Sequence, residues 1–310
     1  MPAPDDGRHS FDPHTLEPIF LRVPGGDGAF AWRARVGPCV AHADGELPGF
    51  ARDVPTRPPG PMARDVPATQ WRSVAWFDDA QRGFACDADA RGLRVRFDDR
   101  GTLAIGDDGV VALGDDVPAH ASVEALLGVG AVLALAQRHC FALHAAGVRD
   151  ARGRAFVLLG ASGAGKSTSA ALLGAQDGWA RLADDIVPTS CAAGDVQVWP
   201  AHPQLKLEPR HWHRGAEPLR PAALLLLARD AALPAPTLRA LDATAATVLL
   251  LRRTAGTRLF APELLAEHLW FARSVAQAVP AFALTVPDDL AHLARNAART
   301  AALLEAWQPT

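Results

Sequence analysis

Gly160-Ala161-Ser162-Gly163-Ala164-Gly165-Lys166-Ser167 has the G-x-x-x-x-G-K-S spacing of a loop that wraps a phosphate. Glycines let such a loop turn so that successive N–H groups, here those of Ser162 through Ser167, converge on one anion. The positive end of the following helix adds to the attraction. Lys166 is placed to reach the β- and γ-phosphates of a nucleotide and the Ser167 hydroxyl to ligand Mg²⁺, with Thr168 completing the nucleotide-binding set. An acidic residue must share the metal, and two candidates compete. Asp184-Asp185 lies 18 residues past the lysine, whereas Asp230 ends the apolar run Leu224-Leu225-Leu226-Leu227-Ala228-Arg229, which has the form of an ordinary metal-binding strand. The pair is favoured, because one carboxylate can hold Mg²⁺ while the other takes a proton from an incoming hydroxyl. Neighbouring residues of a strand face opposite sides, so both can serve only at a strand end or a bulge.

His144, in Leu143-His144-Ala145-Ala146-Gly147, sits on a strand that would run antiparallel to the one entering the glycine loop, which could bring it near the γ-phosphate. Only Lys166 and Lys206 among 31 basic residues are lysines, so Lys206 is a further catalytic candidate, with Arg210 beside it near the acceptor or the nucleotide. His211-Trp212-His213 with His202 matches no standard metal spacing and reads as surface.

The elements that must position these residues follow from pattern. Twelve of the 25 prolines occur by residue 67, which makes the stretch from Pro48 to Pro67 loop or linker. From Trp71 to Leu113 short apolar runs alternate with Asp/Gly turns, the mark of a β-meander. Ser122 is a candidate cap for a helix carrying Val123, Leu126, Leu127, Val132, Leu133 and Leu135. Strands are expected at 141–148 and 155–159, joined by a hairpin, the second feeding the glycine loop. A helix follows from Lys166 to Leu173, then strands at 181–187, 196–199, 204–207, 222–228 and 237–241. A helix from Pro262, a strand at 282–286 and a helix opened by Pro287-Asp288-Asp289 and ending near Glu305 complete the chain. The division is a β-rich N-terminal domain over 1–118 and an α/β domain over 119–310.

A chain of 310 residues, 49% hydrophobic, has ample material for a core. Its net charge of -3, with both signs mixed throughout, offers no broad cationic field for nucleic acid. The longest apolar stretch, Ala125 to Ala136, falls short of the roughly 20 residues needed to cross a bilayer. Met1-Pro2-Ala3-Pro4-Asp5-Asp6 has neither the basic start nor the apolar run of a secretory signal, so the cytoplasm is the expected compartment. Cys39, Cys86, Cys140 and Cys191 lack close pairing and read as reduced, mostly buried thiols.

The order of Leu143-His144-Ala145-Ala146-Gly147, hairpin, glycine loop and Leu182-Ala183-Asp184-Asp185-Ile186-Val187 resembles the HPr kinase/phosphorylase family and the HPr-kinase-like enzymes that phosphorylate lasso-peptide precursors. Pro203-Gln204-Leu205-Lys206-Leu207 is similar to a segment of the same group. The resemblance covers about 141 to 210 and extends loosely to the C-terminus. It implies the phosphoenolpyruvate-carboxykinase-like P-loop fold and transfer of phosphate from ATP, with Mg²⁺, to a serine hydroxyl of a peptide or protein. It makes Lys166 and Ser167 phosphate and metal ligands, His144 a catalytic-site residue, and Asp184-Asp185 base and metal ligand. HPr kinases carry glutamate after the P-loop serine where Thr168 stands here, which favours a peptide over HPr as acceptor. The N-terminal region is then a candidate substrate-binding unit, and a homo-oligomer is a candidate assembly because HPr kinases form hexamers, although the sequence marks no interface for one. A small-molecule kinase of the same fold, a P-loop ATPase and a nucleotide-binding regulator are the alternatives. No L-S-G-G-Q-like segment and no apolar strand ending in Asp-Glu supports the ATPase.

Overall fold

The computed structural model describes residues 20–23, 30–36, 39–42, 69–77, 80–89, 92–97, 101–106, 110–114, 125–200 and 218–308. Lys206, Arg210, the 203–207 segment, His202, His211, His213, Ser122 and the proline-rich stretch from Pro48 to Pro67 lie outside these residues.

Two sheets organise the chain. The first has eight strands: β1 (Phe20–Val23), β2 (Phe30–Val36), β3 (Cys39–His42), β4 (Thr69–Phe77), β5 (Ala80–Asp89), β6 (Gly92–Phe97), β7 (Gly101–Gly106) and β8 (Val110–Leu113), in the order β3-β2-β1-β8-β7-β6-β5-β4. Neighbours are antiparallel except β1 and β8, which are parallel. The meander expected from Trp71 to Leu113 is the β4-to-β8 part of this sheet. In β6, Leu93, Val95 and Phe97 are buried and Arg94 and Arg96 exposed, the period-2 pattern of a sheet with one wet face.

A π-helical turn (Ala125–Gly130) runs into the short helix α1 (Ala131–Ala136), every residue of which is buried. A Cβ on Gly130 would meet Val111 Cγ1 at 2.7 Å and Leu103 Cδ1 at 3.3 Å, so only glycine lets this turn lie so close to the meander.

The second sheet has seven strands: β9 (Cys140–Arg149), β10 (Ala155–Leu159), β11 (Ala180–Ala192), β12 (Asp195–Val198), β13 (Pro221–Asp230), β14 (Thr237–Leu241) and β15 (Ala281–Pro287), ordered β12-β11-β9-β10-β13-β15-β14. β10, β13 and β15 are parallel; β9, β11 and β12 on one side and β14 on the other run antiparallel to their neighbours. The helices are α2 (Lys166–Gly174), α3 (Ala243–Arg253), α4 (Pro262–Ala278) and α5 (Leu293–Ala306). The fold is thus mixed α/β, with a separate antiparallel-dominated sheet.

β10 is buried at every position because both faces of the second sheet are covered. Phe156 and Leu158 pack with Ala170 and Leu173 of α2 and Ala301 and Leu304 of α5. Val157 and Leu159 point the other way, into a core shared with α1, with Leu250 of α3, with Phe271 and Val275 of α4, and with Leu103 and Val95 of the first sheet. Each such fully buried side chain contributes about 2 kcal/mol. Cys86, Cys140 and Cys191 are buried thiols that form no disulfide; burial, helped by Asp87, pushes Cys86 up to about 11.

The C-terminal helix starts later than Pro287-Asp288-Asp289 implied. Pro287 is the last residue of β15, a 3₁₀ turn (Leu290–His292) follows, and α5 opens at Leu293. The acidic residues are spent on local contacts instead: Asp289 accepts from Ala291 N and pairs with His292, and Asp288 pairs with Arg229.

Candidate functional site

The glycine loop joins β10 to α2. Gly163 (φ 77°) and Gly165 (φ 86°) occupy the left-handed region, which supplies the tight wrap that side chains disfavour. Gly165 is the N-cap and carries no side chain, so the first-turn amides of α2 have no internal acceptor and face outward. Ser162, Gly163, Ser167 and Thr168 are exposed, Ala161 is exposed at the loop's start, Ala164 and Gly165 are half-buried, and Gly160 is buried. The Lys166 ammonium is buried and donates to Gly160 O and Ala161 O, both at 3.1 Å, so it lies folded across the loop.

Strand register brings the other candidates to this end of the sheet. Leu159, the last residue of β10, pairs with Ala145 of β9, and Ala145 pairs with Asp185 of β11. The three residues form one row across three strands, about 10 Å from first to last. His144 is one step beyond Ala145, level with Gly160 where the loop begins. Asp184 pairs with Ala146, and His144 with Ile186. Ala146 belongs to the core under α2, so Asp184 and His144 lie on the face that α2 covers.

Alternation would send Asp185 to the opposite face from Asp184. The backbone resolves this. The register of β11 against β9 runs unbroken from Ala183 to Ser190, but Asp185 has φ 81°, a left-handed conformation inside a strand. With alternation broken, the Asp185 carboxylate reaches His144, Oδ1 to Nδ1 at 3.2 Å. The contact places a proton on Nδ1 and orients the ring. The side chains of His144 and Asp185 are 36% and 23% exposed, whereas Asp184 is buried, with Oδ2 3.9 Å from Arg181 Nη1. One acid is open to solvent and paired with a histidine, the other enclosed near an arginine. A left-handed non-glycine residue costs about 1 kcal/mol, and such strain collects at functional sites.

Asp230, the competing acid, ends β13 beside the loop but is engaged in its own turn, with Oδ1 accepting from Ala232 N and its carbonyl from Leu233 N and Asp288 N. It is a strand-terminating residue. Its neighbour Arg229 is the member of the site that the sequence reading missed. The Arg229 guanidinium lies where a Gly165 side chain would be, donates from Nε to Ala164 O at 3.3 Å, and pairs with Asp288 Oδ1 at 3.3 Å. Its only sequence signal is a cation at the end of an apolar strand parallel to β10. Among the described residues no group of three or more His, Cys, Asp or Glu side chains could hold a metal ion.

β9 is held in place from behind. Leu143 forms a bridge with Thr254, and Ala255 N donates to Ala142 O. Thr254 Oγ1 donates to Leu250 O and accepts from His268 Nε2 at 2.8 Å. His268 is walled by Phe141, Phe260 and Phe271, and burial pulls it down to about 4. No family model matches the chain, and no curated protein matches it.

Proposed function

We propose that this protein is an ATP-dependent kinase of the phosphoenolpyruvate-carboxykinase-like P-loop type, moving the γ-phosphoryl group to a serine-type hydroxyl of a peptide or protein. The observation that carries the reading is the convergence of the glycine loop, the His144–Asp185 pair and buried Asp184 on one end of one sheet. A loop with outward amides and a folded-in lysine fits a polyphosphate. A loop of that kind alone fits any nucleotide-binding protein; an acid made accessible and oriented by a histidine beside it is what a transferase needs in addition.

In this reading the amides of Ser162 to Ser167, except that of Ala164, which donates to Ala161 O, and the Lys166 ammonium hold the phosphates and offset the charge that gathers on the transferring group. A divalent cation bound with the nucleotide would be held by the Ser167 hydroxyl and Asp184, and would supply further charge neutralisation. Asp185, oriented by His144, takes the proton of the acceptor hydroxyl. The freed oxygen bonds to the γ-phosphorus as the bond to the β-phosphate oxygen breaks, and ADP leaves.

The deciding experiment is mass spectrometry after incubation with Mg-ATP and acceptors that include serine-ended peptides and HPr, with Lys166→Ala in parallel. A gain of about 80 Da on a peptide, absent with the variant, is the expected result. Steady Lys166-dependent ATP hydrolysis with no acceptor modified would replace the kinase by an ATPase.

A further inference from the structure

The outward face of the first sheet carries a charged hollow. Strand register puts Arg72, Ala85 and Arg96 in one row, and Gln70, Asp87 and Arg94 in the next. Directly opposed residues share a face. Because Phe84, Cys86, Leu93 and Val95 fill the inner side, these two rows face outward. Gln70, Arg72, Arg94 and Arg96 are exposed. Ala85 is small, so the two guanidinium groups flanking it, on strands about 10 Å apart, are separated by a floor and not by a side chain. The hollow is an open depression of about 550 Å³ bounded by Gln70, Arg72, Ala85, Cys86, Asp87 and Arg96. No ion pair within the described residues neutralises Arg72 or Arg96.

We propose that this hollow binds an acidic segment of a peptide or protein, with one carboxylate seated over Ala85 between Arg72 and Arg96. A guanidinium fork matches a carboxylate in shape and charge, and two forks facing one small residue make a clamp. Gln70 offers an amide to the backbone of the bound segment. Asp87, two residues along β5 from Ala85 and flanked by Gln70 and Arg94, lines the same hollow, so the bound segment must place a neutral residue over it and only one carboxylate over Ala85.

The test is fluorescence anisotropy with the full chain, without nucleotide, using a labelled Glu-Gly repeat peptide, its Gln-Gly counterpart and a single-stranded oligonucleotide. The Glu peptide binds, and binding weakens as salt rises. Arg72→Ala and Arg96→Ala each weaken it about tenfold. Ala85→Glu, which fills the clamp with a resident carboxylate at a solvent-facing position, removes it, while Arg239→Ala on exposed β14 leaves it unchanged. Circular dichroism checks that each variant is folded. Equal binding of the Gln peptide, unaltered binding by Ala85→Glu, or tighter binding of the oligonucleotide overturns the proposal. Since the readout needs no nucleotide, Lys166→Ala binds the peptide normally, and failure of the clamp leaves the kinase reading untouched.

Discussion

Asp185 combines two properties that ordinarily conflict, a carboxylate needed in one place and a backbone conformation that costs energy to hold. The two can be separated by substitution. Asp185→Asn keeps a residue that tolerates the left-handed region, so the fold should survive with unchanged denaturant midpoint while phosphoryl transfer falls by about a hundredfold or more. Asp185→Gly relaxes the backbone at φ 81° and should raise stability by up to about 1 kcal/mol, again without activity. If Asp185→Gly were instead destabilised with transfer intact, the residue would be structural and the strain unrelated to chemistry. Arg229 allows a parallel separation. It braces the loop from behind, through Ala164 O and against Gly165. Arg229→Ala should therefore weaken ATP-analogue binding about tenfold by loosening the loop, with little change in thermal stability, because Arg229 is at the surface end of β13 and its partner Asp288 is half-exposed. Unchanged nucleotide affinity in Arg229→Ala would deny it that role. Asp184→Asn, in contrast, acts on a buried group and should lower metal-dependent nucleotide affinity.

At the level of elements, those around the glycine loop follow most directly from the sequence. β10, α2 and the hairpin between β9 and β10 follow from an apolar run, a glycine loop and Asp150/Gly153 in the turn, and their observed limits agree to within a residue or so. β11, expected over 181–187, continues through Pro188 to Ala192, stabilised by its hairpin with β12 and by Trp199 N donating to Pro188 O. α3 left no mark in the reading because its run of Ala, Thr, Val and Leu has no clean apolar stripe; only Ala246, Leu249 and Leu250 are buried. The signals present were Asp242 as N-cap, accepting from Ala245 N, and Arg252 and Arg253 in the last turn. The site showed the same limit: adjacent acids could be named from sequence, but the left-handed turn that lets Asp185 reach His144 depends on pairing with β9. The His268 strut behind β9 carries a pH prediction. Its pKa falls from 6.5 to about 4 on folding, so the unfolded chain binds the extra proton between those values. Stability is therefore complete above about pH 6.5 and declines as pH drops toward 4, by up to about 3 kcal/mol. His268→Phe should flatten that slope in denaturant melts at pH 7 and pH 5; an unchanged slope would assign the acid sensitivity elsewhere.

For the whole molecule, the second sheet has one end clamped and the other open. At the far end of β10 from the glycine loop, Arg154 donates from Nε to Asp150 Oδ2 at 2.7 Å, from Nη1 to Trp307 O at 2.7 Å and from Nη2 to Leu304 O at 3.0 Å. Its guanidinium also lies over the rings of Phe156 and Trp307. Trp179, just before β11, adds a bond from Nε1 to Glu305 Oε1 at 2.7 Å, tying α5 to the entry of that strand as well. Asp150 is fully enclosed and keeps two backbone donors, Arg152 N and Arg154 N, in addition to the arginine. Such a buried pair is costly to break from one side, because the remaining charge stays buried. Arg154→Ala should thus destabilise the chain by about 3 kcal/mol, visible as a lower denaturant midpoint. Below that midpoint it should bind an ATP analogue as tightly as the parent chain, since the glycine loop is at the other end of the strand and β9, β11 and β13 hold it there independently. The double substitution Arg154→Ala with Asp150→Asn should recover part of the loss by removing the orphaned charge. Loss of analogue affinity in folded Arg154→Ala would mean that the two ends of the sheet are coupled, and that closing the C-terminal helix against the hairpin is part of how the loop is shaped.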